Sequence, residues 1–346
     1  RVSNLSQVPF GIWSIGVATT LMTISSLMIF TLTPLFLKNS LGLPMKDIGT
    51  IEGIAEAISN VIRIFSGPIS DYFGKRKALV ILGYGLMTIV KPLFAIAPAI
   101  GWIIFARFTE RVGNGLQGAP REALIGDLAP SHLRGTCFGL RNSLTKAGSV
   151  GGAFLTWYLL YTTNSDYQMI FWIAIIPSAI GFFILIFFVK DKKQEEFTKD
   201  EKPKRHPIHL RDIMRLGKSF WAVMGVVTVF MLSHCNESFI TLRAEDLGLA
   251  EKHLPSVMLV MNAVVVLAAY YSGALSDRLG RKIFLVVGFL AQILALLVLS
   301  FAPSWEWVIL GVTLWGIQMG TTQSILVTIV VDTTPKDLHG TAFGVF

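Results

Sequence analysis

Four polar side chains lie on one face of an apolar stretch that covers residues 47–69. They follow one another at spacings of four, four and three residues: Glu52, Glu56, Asn60 and Arg63. These spacings place all four on the same side of a helix. If the stretch crosses a bilayer, a charge near its centre costs at least about 2.5 to 3.5 kcal/mol unless it is paired or hydrated. Glu56 lies closest to the middle and is our candidate for proton coupling; pairing of Glu52 or Glu56 with Lys91 is the alternative.

A second polar face follows in the stretch 100–127, and it is mainly cationic. It combines Arg107, Arg111, Asn114, Gly118 and Arg121, has Glu110 and Glu122 beside it, and is joined by Arg141 and Lys146 from the next stretch. One interpretation is a cation-lined cavity that binds an anionic or zwitterionic substrate. The other is internal pairing, for example of Glu110 with Arg107 or Arg111, because buried ion pairs also hold helices together. Internal pairing is favoured for Glu110 and Glu122.

Weaker candidates for contact with a substrate occur in the second half of the chain. His234 and Glu237 share a helical face in the stretch 219–244, and a histidine can titrate near neutral pH. Gln318 lies in a stretch rich in threonine, where amides and hydroxyls either contact a substrate or join helices by hydrogen bonds. A packing role is the favoured alternative for His234, and hydrogen bonding between helices is favoured for most polar residues of the Gln318 stretch.

The residue types needed for enzymatic chemistry do not occur in the required patterns. The sequence contains no G-x-x-x-x-G-K-S/T phosphate loop, no His/Cys metal cluster and no Ser/His/Asp arrangement at helical spacing. We therefore expect a protein that is not an enzyme, with no catalytic residues, no cofactor and no metal.

Composition places these residues in a polytopic membrane protein. Hydrophobic residues make up 53% of the 346-residue chain and charged residues only 15%, and the mean hydropathy is +0.61, whereas soluble domains carry about a quarter charged residues. Apolar stretches of roughly 20 residues, the length that crosses a bilayer as a helix, recur along the chain. We predict an all-α fold with helices at 10–37, 47–69, 78–98, 100–127, 136–162, 168–189, 219–244, 254–276, 282–302 and 306–332, and the start of another at 338–346.

Charge in the predicted loops indicates the topology. Eighteen Lys and Arg residues fall on the side of the even-numbered connections and four on the other side. Because positively charged loops remain cytoplasmic, we predict a cytoplasmic N-terminus and a cytoplasmic linker at 190–218. Topology also accounts for most of the net charge of +8, so the lipid bilayer, and not nucleic acid, is the expected partner.

An internal repeat shows that the chain contains two related halves. The first copy reads Gly67-Pro-Ile-Ser-Asp71-Tyr-Phe-Gly74-Lys-Arg76-Lys, and the second, 206 residues later, reads Gly273-Ala-Leu-Ser-Asp277-Arg-Leu-Gly280-Arg-Lys282. A second pair of segments, which begin at Asp127 and Asp332, keeps a shift of 205. The repeat predicts a duplicated six-helix unit, with an N-terminal bundle at 1–189 and a C-terminal bundle at 219–346. Carriers of this kind bind their substrate between the halves.

The repeated loop has a physical interpretation of its own. Its glycines allow close helix approach and a tight reversal, and Asp71, expected on an exposed loop, can meet a helix N-terminus or a basic side chain. The alternative is a pair of positively charged loops with turn glycines. Because the loop occurs twice at nearly the same offset, we favour the interpretation in which the aspartate contacts a helix N-terminus or a basic side chain.

These residues resemble the signature loop of the major facilitator superfamily, G-x-L-a-D-r-x-G-r-k, which that family carries once in each half. Arg111-Val-Gly-Asn-Gly115 is similar to the family's R-x-x-x-G motif in helix 4. The resemblance implies two pseudo-symmetric six-helix bundles that move a small organic solute by alternating access. It also implies a gating latch on the cytoplasmic side, formed by Asp71, Arg76 and Asp127 in one half and by Asp277, Arg281 and Asp332 in the other.

The resemblance also bears on the direction of transport and on the completeness of the second helix bundle. Antiporters of the family often have G-x-x-x-G-P-x-x-G-G in helix 5, whereas this chain has Gly148-Ser-Val-Gly151-Gly152 without the proline. We expect a monomer in a bacterial cytoplasmic membrane that couples solute movement to protons, with export slightly favoured. A proton-coupled importer of an organic anion and a non-transporting sensor are the alternatives. Because the repeat leaves nothing that matches 145–189, we expect a C-terminally truncated fragment whose second bundle is incomplete and whose helix 11 receives Asp71.

Overall fold

The computed structural model describes residues 7–39, 42–96, 99–163, 166–189, 217–232, 240, 243–244, 247–249, 254–335 and 338–346. The described residues form eleven α-helices and one 3₁₀ turn at Ser131–Leu133, and no strand occurs among them. The predicted all-α fold class is therefore confirmed.

The helices are, in chain order, α1 (Phe10–Asn39), α2 (Met45–Phe73), α3 (Arg76–Ile96), α4 (Ile100–Leu128), α5 (Arg134–Thr162), α6 (Tyr167–Phe188), α7 (Lys218–Leu232), α8 (Leu254–Leu279), α9 (Arg281–Ser300), α10 (Trp305–Thr333) and α11 (His339–Val345). Short connections join successive helices from α1 to α6 and from α8 to α11. Most bounds fall within a few residues of the predicted ones. The second half of the predicted helix 219–244 lies mostly outside the described residues.

Glycine and a capping carboxylate define several helix ends. Gly74 ends α2 in the left-handed conformation, with φ of 61°, and its N–H donates to the carbonyl of Ser70. Gly280, between α8 and α9, has φ of 91°. Positive φ favours glycine, so both reversals occur where the repeated loop predicts them. At α6, Asp166 caps the N-terminus and accepts a hydrogen bond from the Met169 N–H at 3.1 Å.

Within the described part of the chain, six helices are long and apolar enough to cross a membrane: α1, α3, α6, α8, α9 and α10. Large apolar side chains remain exposed on these helices, for example Ile89 on α3, Phe187 on α6 and Leu290 on α9. Lipid tails are as apolar as these side chains, so a bilayer solvates a surface that water would not. Among the described helices, α2 and α4 carry the most charged residues, six each.

Contacts divide the chain into two compact units. The larger unit consists of Phe10–Leu128, Gly151–Gly217 and Thr334–Phe346, and the smaller unit contains Ala129–Val150 and Lys218–Thr333. In the larger unit α3 and α2 pack against α4, α1 packs against α6, and α11 packs against α2 and α4. In the smaller unit α10 packs against α8 and α9 around a core that includes Met261, Val312 and Trp315.

These units do not coincide with the two predicted bundles. The last helix, α11, groups with helices of the first half, and the beginning of α5 groups with helices of the second half. The predicted bundles 1–189 and 219–346 follow the sequence repeat, and they stay a prediction. Most of the predicted linker 190–218 lies outside the described residues.

Candidate functional site

A cavity of about 270 Å³, with both apolar and charged residues in its wall, is formed by α1, α3 and α4 within the larger unit. Its wall includes Thr19, Met22, Ser26 and Phe30 from α1, Tyr84 and Met87 from α3, and Arg107, Glu110, Arg111, Asn114, Gln117 and Arg121 from α4. The helical period of α4 explains why its polar residues face one side. Three of the predicted cavity residues, Arg107, Arg111 and Arg121, thus lie at one cavity.

Arg107 is held by two carboxylates. Its Nε and Nη2 donate to the two oxygens of Glu52 at 2.9 and 2.6 Å, and its Nη1 donates to Glu110 at 2.8 Å. Only 2% of the Arg107 side chain is exposed. Bidentate arginine–carboxylate pairs are geometrically specific as well as strong, so the guanidinium is fixed and its hydrogen-bonding capacity is largely used.

Arg111 is held more weakly, by a single contact. Its Nη1 lies 3.2 Å from Oε2 of Glu56, whose side chain is 56% exposed. The Arg111 Nε is buried and has no hydrogen-bond partner among the described residues. The guanidinium also lies 5.5 Å from the ring centroid of Phe30, within the range of a cation–π contact. Arg111 therefore keeps donors that a ligand can use.

The inner end of the cavity is closed by a third arginine and by neutral hydrogen bonds. Arg121 donates to Glu122 at 3.0 Å. The hydroxyls of Thr19 and Tyr84 lie 3.0 Å apart, and the Gln117 amide donates to Asn114 at 3.0 Å. The Thr19–Tyr84 contact connects α1 to α3, and the other two contacts lie within α4.

Lys91 lies behind the cavity wall and does not pair with Glu52 or Glu56. Its buried ammonium donates to the hydroxyls of Ser25 and Ser26 and lies 3.6 Å from the Met22 sulfur. Among the described residues no carboxylate is within ion-pair distance of it. The sequence alternative that paired Lys91 with these glutamates is wrong, because α4 supplies closer partners for both of them.

Two further predicted cavity residues, Gln318 and Lys146, are not part of this cavity wall. Gln318 is buried in α10 of the smaller unit, where its amide donates to Thr322 at 3.0 Å. Lys146 is half-buried in α5 and is not part of the cavity wall. His234 and Glu237 lie outside the described residues.

The first predicted latch is assembled at the end of α2 in the larger unit. Asp71 accepts hydrogen bonds from the backbone N–H of Gly340 and Thr341 at 2.9 and 2.6 Å and from the Thr341 hydroxyl at 2.8 Å. Arg76 lies 3.2 Å from Asp71 and 3.1 Å from Asp127. A carboxylate at a helix N-terminus meets free N–H groups and the positive end of the helix dipole. Asp71 was expected on an exposed loop, but it lies in the last turn of α2 with 7% of its side chain exposed.

The second latch repeats this geometry in the smaller unit. Asp277 accepts from the backbone N–H of Gly135 and Thr136 at 2.9 and 2.7 Å and from the Thr136 hydroxyl at 2.7 Å. Arg281 lies 3.1 Å from Asp277 and 3.3 Å from Asp332. The six latch residues therefore form two equivalent clusters. By the shift of 206 Arg281 would match Lys75, so the basic residue lies one position earlier in the second copy.

The motif glycines explain how the helices approach closely enough. A Cβ on Gly67 would overlap the carbonyl oxygen of Gly340, and one on Gly273 would overlap the carbonyl oxygen of Gly135. A Cβ on Gly115 would similarly overlap the backbone of α2 at Ser59. Only glycine permits these backbone contacts.

Two charged latch contacts were not foreseen from the sequence. Arg134 lies 2.7 Å from Asp332, and His339 lies 3.2 Å from Asp127. The shift of 205 aligns Arg134 with His339, so the repeat contained the signal. Glu52, the main partner of Arg107, was placed on the correct face of α2, but periodicity does not identify a partner on another helix.

The cavity, the apolar helices and the duplicated latch define an all-helical, multi-pass membrane protein built from a repeated unit. A sequence model of the Major Facilitator Superfamily matches residues 15–346, and the chain belongs to that family. Membership makes it a membrane transporter in class, as the repeated loop indicated.

Relatives and solved structures agree with this assignment. The chain is 29% identical over 354 residues to an uncharacterized MFS-type transporter of Methanocaldococcus jannaschii, a match that covers 99% of this chain and 85% of that protein. The human organic anion transporter MFSD10 matches with a TM-score of 0.79 at 14% identity, over 97% of this chain and 88% of its own. The E. coli fucose:proton symporter FucP matches with a TM-score of 0.75 at 14% identity, over 96% and 87%. At this identity the two structures show a shared fold.

Proposed function

We propose that the protein is a proton-coupled secondary transporter of a small organic solute, that it works by alternating access, and that export is slightly favoured. The observation that carries the proposal is the cavity of about 270 Å³ whose Arg111 is held by one contact to an exposed Glu56. Ligand pockets of roughly 300 Å³ and more accept small organic molecules, so the cavity is near the lower end of that range.

The charges around the cavity favour a solute with few charges. Its three arginines bond to four carboxylates, Glu52, Glu56, Glu110 and Glu122, so the wall is not strongly cationic. A zwitterion, or an ion with a single charge, fits this balance better than a polyanion. The cation-lined cavity predicted from α4 alone is modified accordingly, because α2 supplies two of the compensating carboxylates.

The Arg111–Glu56 pair gives each direction of transport a chemical basis. A substrate ammonium that binds the exposed Glu56 competes with a proton for the same carboxylate, and this competition produces antiport and export. A substrate carboxylate that occupies the unused donors of Arg111 instead displaces Glu56, which then accepts a proton because it has lost its counter-charge. The second case produces symport, and the unused donors of Arg111 make import of an organic anion the second candidate.

The proposed setting is the cytoplasmic membrane of a bacterium, with the N-terminus and both latches on the cytoplasmic side. The excess of Lys and Arg on the predicted cytoplasmic loops supports this orientation. A monomer suffices, because the cavity is formed within one chain. The protein is proposed to need no cofactor and to catalyse no reaction.

Transport by the full-length protein in liposomes that contain a pH-sensitive dye tests the proposal. An imposed pH gradient is combined with a panel of monocarboxylates, amino acids and organic cations. Antiport requires that at least one solute moves protons in the opposite direction to itself; symport requires movement in the same direction. If no solute moves protons or accumulates against a gradient, while some still bind, the protein is a sensor with this fold.

Glu56→Gln identifies the coupling residue in the same assay. The variant should lose gradient-driven accumulation and keep substrate exchange, because the amide cannot exchange a proton. The matched control is Glu306→Gln, at an exposed position in the first turn of α10. If Glu56→Gln still concentrates the solute, Glu56 is a structural partner of Arg111 and protons are carried elsewhere, with Glu52 and Glu237 as the next candidates.

A further inference from the structure

The two latches are equivalent in every charged contact except one. In the smaller unit Arg134 Nη1 lies 2.7 Å from Asp332. In the larger unit the aligned residue is His339, whose Nδ1 lies 3.2 Å from Asp127. An arginine keeps its charge at every physiological pH, whereas a histidine gains or loses its charge between about pH 5 and 8.

This difference changes the charge balance of the clusters. Asp277 and Asp332 face two permanent cations, Arg281 and Arg134. Asp71 and Asp127 face one permanent cation, Arg76, and the imidazole of His339. With a neutral imidazole the larger unit's latch has one uncompensated negative charge. A protonated imidazole gives it the balance that the other latch has permanently.

The surroundings of His339 allow its charge to act on the latch. The side chain is 1% exposed, so solvent screens its interaction with Asp127 poorly. Since Asp127 accepts, Nδ1 carries the hydrogen in the neutral form, and Nε2 is buried with no hydrogen-bond partner among the described residues. The helices that pack against α11 are α2 and α4. Their ionisable groups nearest to α11 are Arg63, Asp71 and Tyr72 on α2 and Arg121, Glu122 and Asp127 on α4, and Arg76 reaches the cluster from α3.

We propose that the latch between α2, α4 and α11 is a pH sensor: protonation of His339 strengthens the docking of α11, while the latch at Arg134 holds its helices with a strength independent of pH. The docking of α11 is the property concerned, whatever solute the protein moves. In a transport cycle, acidification would then favour the docked state of this latch alone.

The accessibility of a cysteine beneath α11 measures this docking directly. Ser70 is fully buried on α2, next to Gly340, so a Ser70→Cys thiol reacts with a maleimide only when α11 leaves. The full-length protein is used with Cys137 and Cys235 replaced by alanine. At each pH the labelling rate of the protein that retains His339 is divided by the rate of the His339→Gln variant. This ratio cancels the effect of pH on the thiol itself.

We expect this ratio to be close to one at pH 8.5 and about fivefold lower at pH 5.5, because protonated His339 holds α11 over the cysteine. A fivefold change is the size of a modest coupling between two sites. A ratio that is constant between these pH values would overturn the proposal, and so would a complete absence of labelling in His339→Gln. His132→Gln, at an exposed residue between α4 and α5, should leave the pH response unchanged.

Transfer of the histidine to the other latch gives an independent test if His339→Gln does not fold. Ser276 is fully buried next to Gly135, so Ser276→Cys reports on the latch in the smaller unit. In the protein that retains Arg134, the labelling rate of Ser276→Cys should not depend on pH. The rate is first corrected for the effect of pH on the thiol with an exposed cysteine as reference. Arg134→His should make it decrease on acidification, and a latch that stays insensitive to pH contradicts the proposed role of the imidazole.

Discussion

Two arginines one helical turn apart have different tasks because their carboxylate partners differ in burial. Arg107 is enclosed by Glu52 and Glu110, whereas Arg111 contacts Glu56 at the open side of the cavity. Removal of one partner from a buried ion pair leaves an uncompensated charge and typically costs about 3–5 kcal/mol. An exposed pair is worth about 1 kcal/mol or less.

We therefore predict that Arg107→Met lowers the free energy of unfolding much more than Arg111→Met does. The first substitution leaves the buried Glu110 and the partly buried Glu52 without their shared cation, and the second leaves a glutamate that water can hydrate. Thermal unfolding of both variants in the same detergent measures the difference. Equal losses of stability would mean that Glu56 is as confined as Glu110.

The sequence predicted which residues share a face but not which residues pair across helices. Spacing along α4 identified the arginines of the cavity, because a helical period determines direction. The partners on α2 depend on how far two helices are shifted along each other, and no spacing within one helix contains that information. For the same reason spacing alone left open a pairing of Lys91 with Glu52 or Glu56, whereas the structure places Lys91 among serines of α1.

At the scale of helices, the close approach of α2 and α11 depends on the missing side chain of Gly67. We predict that Gly67→Ala reduces transport turnover, because its methyl group would overlap the Gly340 carbonyl and prevent docking of α11. Gly53→Ala, on the same helix with open space around it, is the matched control. It should leave turnover unchanged and raise helix stability by up to about 1 kcal/mol. Similar turnover in both variants would exclude a requirement for close docking.

A substitution of Asp71 tests the same contact between α2 and α11 by removing a charge. We predict that Asp71→Asn lowers turnover and also lowers stability, because an amide replaces a buried carboxylate that accepts from Gly340 and Thr341. Hydrogen bonds to charged groups contribute about 1.5–3 kcal/mol each. Turnover is measured in liposomes and folding by size-exclusion chromatography. Wild-type turnover in a folded variant would remove the latch from the mechanism.

Helix bounds were predictable to within a few residues because the requirement to cross a bilayer sets both length and composition. The predicted loops were recognisable because most of the Lys and Arg residues fall in them. The contacts of α11 were only partly predictable from the sequence. The repeat predicted that a helix N-terminus receives Asp71, but His339 was recognisable as a latch residue only once Arg134 had been seen on Asp332.

At the scale of the whole molecule, the duplicated loop and the distribution of charge describe one orientation in the membrane. Of the described residues, Lys75 follows α2 and Lys282 lies at the start of α9, and both belong to the repeated loop. Lys46 lies at the start of α2. All three side chains are exposed, so a cysteine at each position is accessible from one side of the membrane.

We predict that cysteines at positions 75 and 282 react with an impermeant maleimide only from the cytoplasmic side, and that one at position 46 reacts only from the opposite side. The 29 residues of α2 extend about 43 Å at 1.5 Å per residue, more than the roughly 30 Å of the hydrocarbon layer, so α2 is long enough for its two ends to lie in different compartments. Parallel repeats place positions 75 and 282 in the same compartment, and the excess of Lys and Arg makes that compartment the cytoplasm. Labelling in intact cells and in inverted vesicles distinguishes the two sides. Reaction of positions 75 and 282 from different sides would contradict a parallel repeat, whereas reaction of both from outside would preserve the repeat and reverse the orientation.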